Sequence, residues 1–233
     1  MKKIIILIII LGTTLGCSSK EEVVTDSIKF KNEYEELNNE KTSYGDYYYR
    51  SLDIDSDNPI IYKSASEVLE MIDNKESFAI YFGFSSCPWC RSIIETLLEV
   101  SNELDINNIY YVDVKDIRDV LKLNDNNEIT TSKEGASDYY KLLDKLSNVL
   151  DDYTLTTKDG NEVNTNTKRI YAPNIVAIVD GVATKMTTGI SDKQTDAYME
   201  LSNEIKKESY DMLKCTLECL KEEVKVCTMD KKC

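Results

Sequence analysis

The sequence predicts an α/β fold with a mixed central sheet and flanking helices. Three observations carry that prediction. From Ile60 the chain alternates short apolar runs with amphipathic stretches in the order β, α, β, α, β. Its second half reads α, β, β, α, and the run from Phe78 to Phe84 is apolar nearly throughout, as in a strand buried on both faces. Successive βαβ units require parallel pairing with right-handed crossovers.

The elements follow in order. Ile60-Ile61-Tyr62 is a short strand, and Ser64-Ala65-Ser66-Glu67 is a capping box opening a helix with Val68, Leu69, Met71 and Ile72 as its apolar positions. After the Phe78 strand, a helix from Pro88 to about Leu104 carries a stripe of Ile93, Ile94, Leu97, Leu98, Val100 and Leu104. Ile109 to Val114 is the third strand. Residues 115–170 hold more than a connection needs: a helix from Ser137 to Leu150, then a Lys158-Asp159-Gly160-Asn161 turn between short polar strands. Ile175 to Val179 and Val182 to Thr187 make a hairpin closed by Asp180-Gly181. Ser191-Asp192-Lys193-Gln194 is a second capping box, expected to start a long helix with Tyr198, Leu201, Ile205, Met212 and Leu213.

The flanks differ in character. Residues 1–16 carry Lys2 and Lys3, a largely apolar stretch from Ile4 to Leu15, and Gly16 before Cys17. That stretch falls short of the roughly 20 residues that cross a bilayer, so it reads as a cleaved signal. Gly16-Cys17 resembles the lipobox of bacterial lipoproteins, with Thr14 where leucine is usual. The resemblance implies a diacylglyceryl group on the Cys17 sulfur and an extracytoplasmic protein anchored to the cell membrane; the alternative is an ordinary secretory signal. Residues 17–57 read as an acidic tether and extension, helical at Lys31 to Leu37 and packing on the domain through Tyr47-Tyr48-Tyr49. The domain itself spans 58–213, and a Cys-rich tail occupies 214–233.

Charge and composition exclude several functions. The formal charge of −14 becomes −16 once Lys2 and Lys3 leave with the signal. So acidic a body repels nucleic acid and anionic headgroups, leaving membrane contact to the lipid. With no histidine, Ser-His-Asp and Cys-His nucleophile pairs and histidine metal sites are excluded. Seven cysteines remain, and setting Cys17 aside leaves an even number in an exported chain, where disulfides persist.

Cys87-Pro88-Trp89-Cys90 sits where the buried strand turns into a helix. Unpaired amides and the helix dipole there favour negative charge on sulfur, which depresses the Cys87 pKa. Pro88 costs nothing in the first turn, whose amides lack helical partners. Cys87 is therefore the attacking thiolate, and Cys90, one turn further in, resolves the mixed disulfide. The alternatives are half a zinc site, for which Cys215 and Cys219 have the wrong spacing, and a structural disulfide, whose small loop would stabilise little.

Tyr81-Phe82-Gly83-Phe84-Ser85-Ser86-Cys87-Pro88-Trp89-Cys90-Arg91, with Tyr171-Ala172-Pro173-Asn174-Ile175 and Thr188-Gly189-Ile190 downstream, resembles the thioredoxin superfamily. Within it the chain is similar to thioredoxin-like lipoproteins of Gram-positive bacteria and, more distantly, to bacteriocin transport accessory proteins. The resemblance covers about Ile60 to Leu213 and implies a thioredoxin-like fold, with the helical and hairpin segment inserted before the strand that follows a cis-proline. Pro173 matches that cis-proline, which faces the redox pair and holds substrate backbone; Ala172 and Trp89 complete the implied substrate-binding set. Tyr81 stands where the family usually has a buried carboxylate, Glu95 where it has a kinking proline, Ala172 where larger β-branched residues are common, and Pro-Trp where it has Gly-Pro. These departures bear on potential, rate and partner, not on the exchange chemistry.

Cys215, Cys219, Cys227 and Cys233 crowd the tail. Cys215 and Cys219 share a helical face with poor geometry for bonding each other, so Cys227 and Cys233 are their expected partners if the chain folds back after Val224. The favoured reading is a disulfide-stapled helical hairpin; a redox relay to Cys87 and Cys90, and a four-cysteine zinc knot, are the alternatives. The expectation for the whole is a thiol-disulfide oxidoreductase using no cofactor or metal. It would exchange disulfides with exported proteins and with a membrane or extracellular redox partner, leaning to reductase or isomerase. That lean rests on a lack of cationic charge near Cys87, since Arg91 is expected to point outward from the helix. The rival is a non-catalytic binding or transport-accessory module offering a groove beside Pro173.

Overall fold

Local signals decide where most elements begin. The computed structural model describes residues 24–43 and 45–221. The chain forms α1 (Asp26–Glu35), β1 (Ile60–Tyr62), α2 (Ala65–Asp73), β2 (Phe78–Gly83), α3 (Pro88–Glu103) and β3 (Ile109–Asp113). An insertion of β4 (Val120–Leu123), β5 (Ile129–Lys133), α4 (Ser137–Lys145), β6 (Asp152–Thr156) and β7 (Glu162–Lys168) follows. Then come β8 (Asn174–Val179), β9 (Val182–Thr187), α5 (Asn203–Leu217) and a short 3-10 turn, Glu218–Leu220. The Ser64 box forms as expected: the Glu67 amide donates to the Ser64 hydroxyl at 3.3 Å and the Ser64 amide to the Glu67 carboxylate at 2.8 Å. Those bonds, the Ser64 amide foremost and then Lys63, hold the Glu67 carboxyl at about 2.

The expected mixed α/β architecture is present. One five-stranded sheet runs in the order β1-β3-β2-β8-β9, with β1, β3 and β2 parallel and β8 and β9 antiparallel to their neighbours. Every residue of β2 is buried, and its side chains alternate between two cores. Ala79 and Tyr81 join Phe30 and Tyr34 of α1, Ile94 and Leu97 of α3 and Leu213 of α5. Phe78, Ile80 and Phe82 join Val68 and Ile72 of α2 and Leu142 of α4. Each Val, Leu, Ile or Phe side chain among them contributes about 1.5–3 kcal/mol by leaving water. Asp180 and Gly181 close the β8-β9 hairpin with φ of 51° and 75°, the left-handed pair that a two-residue turn demands.

Three expectations need correction, and one element was not foreseen. The helix foreseen from Ser191 begins at Asn203, capped by the Ser202 hydroxyl, which accepts from the Ile205 amide at 3.3 Å. Ser191 instead turns its hydroxyl to the Glu208 carboxylate, and the Lys193 amide folds back onto it at 3.1 Å, so the local bonds make a turn. The helix from Ser137 stops at Lys145, although Leu146 and Leu150 still reach the core. The helix expected at Lys31 starts earlier, because the Thr25 hydroxyl accepts from the Ile28 amide. The β4-β5 hairpin was not foreseen: β5 is exposed along its length, so no apolar alternation marks it.

The extension before residue 58 is part of the packed body. Phe30 and Tyr34 are fully buried, and Leu52 and Ile54 follow. Asn38 holds the returning segment through Leu52, accepting from its amide at 2.9 Å and donating to its carbonyl at 2.8 Å. Tyr49 is buried, whereas Tyr47 and Tyr48 stay exposed and Tyr47 stacks on Tyr198 with ring centroids 4.4 Å apart.

Arg169 anchors the insertion. Its guanidinium pairs with the Asp119 carboxylate, donates to the Asp119 carbonyl at 2.9 Å and lies 4.2 Å over the Tyr153 ring. Both side chains are buried, so Arg169→Met strands a carboxylate, and denaturant unfolding should record a loss of about 3–5 kcal/mol. Adding Asp119→Leu should return most of that loss. A single variant within about 1 kcal/mol of wild type would remove this pair as the anchor; Ser64→Ala, breaking only the cap, should cost about 1 kcal/mol.

Candidate active site

Strand β2 ends at Gly83, and after Phe84-Ser85-Ser86 the chain enters α3 with Cys87 as its N-cap. The turn closes where the Cys87 amide donates to the Phe84 carbonyl at 3.0 Å. The Cys90 amide donates to the Cys87 sulfur at 3.3 Å, so the thiol occupies the place of a capping oxygen. Pro88 takes the first helical position. From the other half of the sheet, the Ala172 carbonyl accepts from the Cys87 thiol at 3.2 Å, and the Ala172–Pro173 peptide bond is cis. Cys87, Cys90, Ala172 and Pro173 thus converge, with Trp89 half-buried at their rim. Trp89 divides two shallow hollows. One, of about 370 Å³, includes Tyr47, Phe84, Ser86, Thr195 and Tyr198; the other, of about 390 Å³, includes Tyr171, Pro173, Thr188, Ile190 and Gln194.

The two free thiols are unequal. Cys87 is held below the ordinary cysteine value, foremost by its hydrogen bond with Cys90. Burial opposes that shift, while the Cys90 and Trp89 amides and the Arg118 charge add to it. Cys90 is fully buried, and desolvation, with the neighbouring Cys87 sulfur second, pushes it well above the ordinary value. A thiolate is therefore available at Cys87 while Cys90 keeps its proton.

Arg91 requires a correction. It was expected to point outward, yet it is only 1 % exposed. Its guanidinium donates to the Tyr34 carbonyl at 2.7 Å, the Arg50 carbonyl at 2.5 and 2.9 Å, Asn38 Oδ1 at 2.7 Å and the Ser85 carbonyl at 3.4 Å. The physical reason is that α1 and the segment returning through Arg50 cover this face of α3, and their carbonyls need donors. The cation that acts on Cys87 is Arg118, whose guanidinium lies 5.1 Å over the Phe84 ring, with Lys115 donating to the Ser86 hydroxyl at 3.1 Å. Sequence reasoning missed both, since their loop between β3 and β4 carries no motif. Tyr81, already marked in the sequence as a departure from the family pattern, has its buried hydroxyl 2.8 Å from that of Tyr34 and beside the Cys90 thiol; the pairing with Tyr34 carried no sequence signal.

Two of the remaining cysteines fall among the described residues. Cys215 on α5 and Cys219 in the terminal turn are disulfide-bonded, which leaves no thiolate for zinc, and Lys185 of β9 reaches the Cys215 sulfur at 3.1 Å. Cys17, Cys227 and Cys233, and with them the lipid anchor and the pairing of the tail, fall outside the described residues. Among the described residues no helix is long and apolar enough to cross a membrane. No protein-family model and no curated protein sequence matches the chain. What the site can do therefore follows from its own geometry.

The unequal thiols give a direct expectation. Alkylation of Cys87 in the reduced protein should reach half its maximal rate at a lower pH than for a free cysteine. Cys90→Ala removes the foremost cause of the shift, so its profile should move to higher pH, and Arg118→Met should move it less in the same direction. A Cys90→Ala profile lying on the wild-type curve would refute this account of the shift.

Proposed function

We propose that the chain is a thioredoxin-like thiol-disulfide oxidoreductase, acting outside the membrane from a lipid anchor at Cys17 and exchanging disulfides with exported proteins. One observation carries the reading: the Cys87 thiol, lowered in pKa at a helix N-terminus, donates to the carbonyl of a residue that precedes a cis-proline. The sheet order and the strand-turn-helix setting of the pair are compatible with that fold. The lipobox resemblance supports the location and the anchor.

The chemistry follows from the inequality of the thiols. A substrate segment lies along Ala172-Pro173, its side chains entering the hollows on either side of Trp89. The Cys87 thiolate attacks one sulfur of the substrate disulfide, forming a mixed disulfide and releasing the other sulfur as a thiolate. Cys90 then gives up its proton and attacks Cys87, forming the Cys87–Cys90 disulfide and freeing the substrate thiol. Reduction of that pair by an external dithiol, the membrane or extracellular partner, closes the cycle. The Arg118 charge stabilises the reduced pair and raises its potential, but as one partly distant charge it leaves the pair a reductase or isomerase and not a strong oxidant.

Cys90→Ser should accumulate mixed disulfides with exported proteins through Cys87, and Cys87→Ser should accumulate none. If neither variant traps a client while the protein still holds partners through the groove, the chain is a binding or transport-accessory module instead. Equilibrated with glutathione, the pair should stand nearer to thioredoxin, about −270 mV, than to the periplasmic oxidant at about −120 mV. A value at or above that of protein disulfide isomerase, about −180 mV, would make it an oxidase.

A further inference from the structure

Cys90 presents a chemical difficulty that the pair alone does not solve. It is fully buried and its proton is held more tightly than in an ordinary thiol, yet it must become a thiolate to attack Cys87. Phenols are set behind it: Tyr81 and Tyr34, whose hydroxyls pair, and Tyr111 in the same buried cluster. Tyr81 of β2 is fully buried, with its ring stacked on Tyr111 at 5.3 Å and meeting the edge of Phe30 at 6.4 Å. Its hydroxyl lies beside the Cys90 thiol and 2.8 Å from the hydroxyl of Tyr34, which is also fully buried. Glycine at position 83 keeps that place open: a Cβ there would stand 2.3 Å from the Tyr81 hydroxyl oxygen.

We propose that Tyr81 is a catalytic residue that donates a hydrogen bond to the Cys90 sulfur as it becomes the resolving thiolate, with Tyr34 as its positioning residue. With the Tyr34 hydroxyl as the donor in that 2.8 Å pair, the Tyr81 proton is left free to face sulfur. Burial raises both phenols well above their ordinary value, so neither ionises and both remain donors. In the step itself the Cys90 S–H bond breaks, the sulfur's electron pair forms the bond to Cys87, and the Cys87–substrate S–S bond breaks with its pair on the substrate sulfur. That sulfur takes up the proton Cys90 released. Tyr81 keeps its own proton throughout. The N-terminal segment, held down by Arg91 through the Tyr34 carbonyl, is on this account part of the catalytic apparatus.

The inference rests on the thiol-disulfide reading above, and one experiment separates the two. Reduced protein is mixed with oxidised glutathione, quenched in acid at intervals, and the glutathione adduct on Cys87 is followed by mass spectrometry. The adduct should form at the same rate in wild type and in Tyr81→Phe, which keeps the stacked ring. It should persist about tenfold longer or more in Tyr81→Phe, the weight of one hydrogen bond to a charged group. Tyr34→Phe should lengthen the lifetime less, and Gly83→Ala, which displaces the hydroxyl, should resemble Tyr81→Phe. A merely structural role would alter formation and clearance together. Clearance at the wild-type rate in Tyr81→Phe or, should that variant not fold, in both Tyr34→Phe and Gly83→Ala, overturns the inference alone. A wild-type protein that forms no adduct overturns the thiol-disulfide reading and the inference with it.

Discussion

A guanidinium buried one residue after Cys90 dictates how the N-terminal segment must lie. Among the described residues no carboxylate is a hydrogen-bond partner of Arg91, and its charge is met by the backbone carbonyls of Tyr34, Arg50 and Ser85 and by the Asn38 side chain. A buried cation left without such partners costs several kcal/mol, so the segment from α1 to Arg50 cannot leave α3 without exposing or stranding that charge. Asn38 serves both sides, accepting from Arg91 and from the Leu52 amide. The consequence is a site walled by residues that composition alone would have assigned to a tether.

The same constraint organises the core behind the thiols. With α1 fixed, Phe30 and Tyr34 fill the space over Tyr81 and Tyr111, their rings 4.4 to 6.4 Å apart. This cluster is apolar by area and polar only at its hydroxyls, which is why Cys90 is so strongly desolvated while still having a phenol beside it. Cys87, by contrast, lies at the end of a helix whose amides point at it and beside a loop carrying Arg118. Three positions along one helix thus separate a thiol that ionises readily from one that does not.

Much of this was legible in the chain. Apolar runs at Phe78, Ile109 and Ile175 marked three central strands, the Ser64 box marked α2, and Asp180-Gly181 marked the hairpin, since each signal depends on neighbours a few residues away. The convergence of Cys87 with Ala172 and Pro173 was anticipated through family resemblance, not through spacing, because no local rule links residues so far apart. The failures share a cause. Ser191 offered a capping box, but Glu208 competed for its hydroxyl from another element, and β5 lacked alternation because neither of its faces is buried.

By itself the sequence determined the mixed α/β class, the strand-to-helix setting of the reactive pair and the chemical inequality of its cysteines, all of which follow from periodicity and helix-end electrostatics. Tertiary structure alone decided that Arg91 turns inward, that Arg118 supplies the charge near Cys87, and that Tyr34 and Tyr81 stand behind Cys90. Those outcomes depend on which surfaces meet when α1 closes over α3. A side chain's environment is set by atoms distant in sequence, and burial changes the free energy of a charge or a thiol far more than its neighbours along the chain can.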